Sequence, residues 1–95
     1  MAKARPKPAA LLRLYVAGNA PNSLRAIANA RAICQANLSC RYELEIVDLL
    51  KSPHRALADG IIVTPTLLRL SPRPLLRVIG NLSDTDQVLL TLASK

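Results

Sequence analysis

Apolar residues fall into runs of different kinds along the chain, and each kind predicts an element. Leu11, Leu12, Leu14, Tyr15 and Val16 form a nearly continuous run with Arg13 inside it, as in a central strand covered on both faces. Ala17-Gly18-Asn19-Ala20-Pro21 ends that strand as a turn. Leu24, Ile27, Ala30, Cys34 and Leu38 then recur at spacings of three and four, which predicts the buried stripe of a helix running to about Ala36. Asn22 and Ser23 are its candidate caps, because a short side-chain oxygen accepts a bond from an otherwise unpaired first-turn N–H. Arg25 and Asn29 fall on the opposite side. Tyr42-Glu43-Leu44-Glu45-Ile46 alternates apolar and polar, the mark of a strand with one wet face or an edge position.

The second half is punctuated by proline and glycine. Pro53 to Asp59 reads as a short helix, with proline at a favoured first position and Gly60 as its stop. Ile61-Ile62-Val63 resumes a β-branched pattern, but Pro65 cannot donate to a sheet ladder and marks a strand entrance or a bulge. The turn Ser71-Pro72-Arg73-Pro74 pairs residues 66–70 with 75–79 as an antiparallel hairpin. Ser83 is the candidate cap of a last helix with Asp84 and Asp86 in its first turn, where the helix dipole favours carboxylates. Val88, Leu89, Leu92 and Ala93 supply its buried face. The order β-α-β-α-β-β-α, with a right-handed crossover, predicts an α/β fold with a mixed four-stranded sheet of thioredoxin-like type.

Composition narrows this. Ninety-five residues, 51% of them hydrophobic and none Phe or Trp, predict one domain over 9–95 with an aliphatic core, after a disordered basic lead-in over 1–8. The longest apolar runs fall far short of the ~20 residues of a membrane span. No secretory pattern follows Lys3, Arg5 and Lys7, so a cytoplasmic protein with no membrane partner is expected. The formal charge is +7, but Lys3, Arg5 and Lys7 sit in the lead-in. The ten remaining cations are scattered from Arg13 to Lys95, without the aromatic platforms that nucleic-acid binding uses.

Thiol–disulfide chemistry in this fold needs a Cys-x-x-Cys where the first strand enters its helix. Residues 17–22 contain no cysteine. Cys34 reads as a small core hydrophobe, Cys40 as an exposed thiol in a turn, and both as reduced. The single histidine, His54, reads as solvated, and no second metal ligand lies at a useful spacing. Glu43 and Glu45 share one strand face and read as a solvated pair. Gly18, Gly60 and Gly80 are isolated and build no phosphate-cradling loop. With no catalytic group, metal or cofactor indicated, what remains is a binding domain whose edge strand, residues 42–47, can accept another protein's strand.

Four ordered blocks carry a family resemblance. Leu14-Tyr15-Val16-Ala17-Gly18-Asn19-Ala20-Pro21-Asn22-Ser23-Leu24-Arg25-Ala26 resembles the opening signature of the KaiB clock-protein family. Residues 46–53, Thr64-Pro65-Thr66-Leu67 and residues 78–84 resemble its later blocks. The resemblance implies a non-enzymatic clock or regulatory protein that binds the hexameric ATPase KaiC, modulates its phosphorylation or ATPase cycle, and recruits or displaces a KaiA-like protein or a sensor kinase. A stress-response adaptor acting with a KaiC homologue, and a thioredoxin-like redox protein, are the alternatives. Expected partner contacts are Asn22, Arg25, Asn29, Tyr42, Glu43, Leu44 and Glu45.

The resemblance also implies metamorphic behaviour, a thioredoxin-like monomer exchanging with a dimeric or tetrameric βαββααβ ground state. Its hinge would be Pro65, Pro72 and Pro74, with Thr91 and Ala93 biasing the last segment. The family often has Gly and Asp at the last two positions, and Thr and Ala cost a helix less than Gly does. The thioredoxin-like form is therefore expected to be favoured. Cyanobacterial members typically carry Lys where this chain has Glu45 and Gly60, on the KaiC-facing surface, which points to a divergent KaiC.

Overall fold

The structure, a computed structural model, describes residues 10–36 and 41–93. The elements are β1 (Ala10–Val16), α1 (Pro21–Ala36), β2 (Tyr42–Asp48), α2 (Pro53–Ala58), β3 (Thr66–Ser71), β4 (Leu76–Ile79) and α3 (Thr85–Ala93). They form one four-stranded sheet in the order β2-β1-β3-β4. β1 runs parallel to β2, from Ala10 opposite Tyr42 to Val16 opposite Asp48. It runs antiparallel to β3, and β3 to β4. The predicted order, the central β1 and the edge position of β2 are all present.

The two faces of the sheet are covered unequally. Ala10, Leu12, Leu14 and Val16 pack with Leu67 against Ala26, Ala30 and Ile33 of α1 and Val88 and Leu92 of α3. This is the larger core, and each large aliphatic side chain buried there contributes about 1.5–3 kcal/mol. On the other face Tyr15, Val47 and Leu68 meet only Ala56 of the short α2. Arg69 stands out within the larger core, 1% exposed. Its Nη1 donates to Leu92 O (2.8 Å) and its Nη2 to Pro74 O (3.1 Å), so it ties the last turn of α3 to the β3–β4 turn.

Several local expectations are corrected. Helix α1 begins at Pro21, and its buried side chains are Ser23, Ala26, Ala30 and Ile33, one position round from the predicted stripe. Leu24 is half exposed. Ser23 is no first-turn cap: its buried Oγ accepts the Ala17 N–H (3.0 Å) and closes the β1–α1 turn. Of the two readings of Pro65 the strand entrance holds, since it directly precedes β3 and residues 61–63 are irregular. The sheet's irregularity lies instead in β1, between Leu11 and Leu12. Asp84, not Ser83, caps α3, with Oδ1 accepting the Gln87 N–H (3.1 Å). Ala93 faces outward while Val88 and Leu92 are buried. The peptide bonds before Pro65, Pro72 and Pro74 are cis. Residues 1–8, Leu38 and Cys40 lie outside the described residues.

Candidate protein-interaction surface

Among the described residues β2 is an edge strand, with β1 as its neighbour in the sheet, and the outer row of backbone N–H and C=O groups of an edge strand is where another chain can pair. Tyr42, Leu44 and Ile46 turn toward the larger core and are partly buried against it. Glu43 and Glu45 turn to the opposite face and are exposed. Their situations differ. Glu45 Oε1 accepts from Arg13 Nε (2.8 Å), and both its oxygens accept from Arg55 Nη2 (2.8 and 2.9 Å). Arg13 first, and then Arg55, hold the Glu45 carboxyl below its usual range. The expectation of a solvated pair is therefore corrected at Glu45 and stands for Glu43.

Arg13 is the hub of a network that the sequence did not announce. Its Nη1 also donates to Asp59 Oδ2 (2.9 Å). The hydroxyl of Tyr15, itself fully buried, has one proton to share between Asp59 Oδ2 (2.5 Å) and Arg55 O (3.0 Å). Asp59 is held below the usual carboxylate range chiefly by the Tyr15 hydrogen bond, with Arg13 adding to it. Burial, reinforced by Asp59, pushes the Tyr15 phenol up, and the paired carboxylates of Glu45 and Asp59 hold Arg13 firmly charged. These partners lie 32 to 46 residues apart in sequence, so no local pattern could have joined them.

The predicted contacts on α1 form a separate patch. Asn22 and Arg25 are exposed. Asn29 is half-buried, and its Nδ2 donates to Asn81 O (2.7 Å), fastening α1 to the β4–α3 loop. The side of α1 over β2 presents Arg31, Cys34 and Gln35 beside Leu44 and Ile46. The structure therefore brings Tyr42 to Glu45 together and Asn22, Arg25 and Asn29 together, but does not merge the two groups.

The β1–α1 connection, where a thiol enzyme of this fold would carry its cysteines, is built for closure. Gly18 N–H donates to Asp48 Oδ1 (3.1 Å), which also accepts Leu50 N–H (3.0 Å). Gly18 has φ +54°, a conformation that favours glycine, and a Cβ there would lie 3.1 Å from Leu50 Cδ1, so a larger residue would strain the backbone and push the exposed Leu50 side chain aside. Cys34 is partly buried against the core, and burial raises its thiol pKa, the opposite of what a reactive thiolate needs. His54 is exposed. Among the described residues no cluster of three metal-ligating side chains exists, and no helix is long and apolar enough to cross a membrane.

Sequence reasoning also left three strongly exposed apolar residues unremarked. Leu50, Leu57 and Ile62 are 67%, 81% and 94% exposed.

Comparison with known proteins places this architecture. The fold is similar to the N-terminal domain of Synechococcus elongatus SasA, with a TM-score of 0.73 over 95% of this chain and 86% of that one, at 23% identity. It is similar to mitochondrial thioredoxin 3 of Saccharomyces cerevisiae, with a TM-score of 0.72 over 90% and 78%, at 16% identity. In sequence the chain is 50% identical over 82 residues to the circadian clock protein KaiB3 of Synechocystis sp., covering 86% of this chain and 80% of that protein. It is 46% identical over 87 residues to the circadian clock oscillator protein KaiB of Prochlorococcus marinus, covering 92% and 74%. The KaiB domain model matches residues 13–94. With a thioredoxin-like sheet, a cysteine-free first turn and these matches over most of its length, the chain belongs to the KaiB family of circadian clock proteins.

Proposed function

We propose that this protein is a non-enzymatic regulator that binds a KaiC-type hexameric ATPase in the cytoplasm and modulates its phosphorylation or ATPase cycle. The observation that carries the reading is family membership over residues 13–94. The open β2 edge and the closed, thiol-free β1–α1 turn support it: the domain offers backbone to a partner and no group to a substrate. Arg25, exposed with Asn22 on α1, supplies a cationic contact, and Tyr42 to Glu45 supply the edge. Glu45 is neutralised by Arg13 and Arg55, so the negative charge this edge presents comes from Glu43. The cationic contacts that Lys would give at positions 45 and 60 are absent, which favours a divergent KaiC. A KaiA-like protein or a sensor kinase is the expected competitor. The proposal includes a thioredoxin-like monomer as the binding form, exchanging with a βαββααβ oligomer.

A pull-down from the native cell with and without ATP tests this. The tagged protein should retain a KaiC-type ATPase, and Arg25→Glu should weaken that retention without altering the circular dichroism spectrum. Recovery of no such ATPase in either nucleotide state would sink the reading. For the monomer, sizing that gives only a tetramer, together with NMR shifts showing residues 66–79 helical, would refute that part.

A further inference from the structure

α2 is too short to hold itself in place. Six residues is well below the length at which isolated helices persist in water, and Ala56 is the only residue of α2 that is buried. Leu57 points into solvent. What fastens α2 is polar and arrives from three strands. From β1, Arg13 grips Asp59, and the Tyr15 hydroxyl is shared between Asp59 and Arg55 O. From β2, Glu45 accepts from Arg55. From β4, Arg77 donates to Asp59 O (3.0 Å) and Gly60 O (3.3 Å). The helix's last amides close on themselves: Asp59 N–H to Arg55 O, Gly60 N–H to Leu57 O and Ile61 N–H to Ala56 O. The segment is thus a self-contained turn of helix lying on a small apolar floor of Tyr15, Val47 and Leu68.

We propose that residues 53–61 form a strap that lifts from the sheet as one unit while the rest of the fold stays closed, with Arg13 as the positioning residue that fastens it. The opposite face explains the independence. α1 and α3 are seated there on the larger core and touch none of the strap's fastenings. The ion pairs are partly exposed, with side-chain exposures of 24% for Arg13, 22% for Asp59 and 46% for Glu45. Salt therefore loosens the strap and leaves the aliphatic core in place.

Amide hydrogen exchange followed by NMR on the full chain tests this: a helix of six residues does not persist once off the sheet, so Asp59, Gly60 and Ile61, whose amides bond within the strap, report its release, with β1 amides as the reference. The reporters should open at least about tenfold more often than β1, because sub-global opening needs less free energy than global unfolding. Arg13→Gln should speed them a further ~tenfold and, because global unfolding also releases the strap, speed β1 and β3 by no more than that factor, so that the reporters stay the faster set, while Arg13→Lys, which keeps the charge but loses the fork, falls between. Because folding of an Arg13 variant is not assured, the unmodified chain is also measured from about 50 mM to about 1 M NaCl, where the reporters should accelerate and remain faster than β1. Reporters that exchange as slowly as β1 at both salts, or that Arg13→Gln leaves unchanged, would overturn the proposal.

Discussion

The two faces of the sheet are held by different physics. On one, helices of 16 and 9 residues are long enough to lay small and branched aliphatic side chains into the core, so burial does most of the holding and Arg69 and Asn29 add a few polar ties. On the other, a six-residue helix has too little apolar area, and Arg13, Tyr15, Glu45, Arg55 and Asp59 hold it through oriented charge-assisted bonds. Such bonds are strong when made and costly when half-broken. The first face should therefore fail in proportion to the volume removed, and the second in proportion to the geometry lost.

The largest effect separating them is expected at Leu14, fully buried in the larger core. Leu14→Ala should cost about 2–5 kcal/mol in denaturant unfolding. A loss under about 1 kcal/mol would mean that this core is not close-packed. On the other face, Tyr15→Phe keeps the ring and removes only the hydroxyl, which bonds a carboxylate and a carbonyl. It should cost about 1.5–3 kcal/mol, and a neutral outcome would say that the network adds nothing beyond packing.

Acid separates the faces without mutation. Glu45 and Asp59 both have lowered folded-state pKa values, so their contribution is complete above the ordinary carboxylate range of about 4 and is lost as pH falls through the lower folded values. Thermal stability should drop below about pH 4 in the parent and drop less in Arg13→Gln; parallel curves would exclude this network as the cause. Next comes Asp84→Ala, which removes the α3 cap and should cost about 1 kcal/mol. Smallest is Glu43→Gln, within about 0.5 kcal/mol by the same unfolding measurement, because no ion pair involves Glu43 among the described residues.

Much of the first face was legible in the sequence and little of the second. The continuous apolar run of β1 and the alternation of β2 follow from backbone periodicity, which acts over a few residues and needs no tertiary information. The position of the α1 stripe was misjudged because Ser23 is buried for its hydroxyl, and Leu24 is left outside although leucine usually goes in. Arg13 and Arg69 read as interruptions of apolar strands. Their meaning depends on Asp59, Glu45, Leu92 and Pro74, which only the folded chain brings near. The same holds for the candidate surface: alternation disclosed the β2 edge, but not the neutralisation of Glu45, nor the bond that commits Asn29 to Asn81.

Gly60 bears on how this chain could be exchanged for its relatives, piece by piece. It ends α2 at φ +67°, and a Cβ there would stand 3.5 Å from Arg77 Nη2. A lysine grafted at position 60 to restore the missing cation would enter a backbone conformation that side chains disfavour, beside a guanidinium already bonded to Asp59 O and Gly60 O. Positions 60 and 77 thus form one transplantable unit, and a lysine moved to position 60 alone brings strained backbone and a second cation beside Arg77.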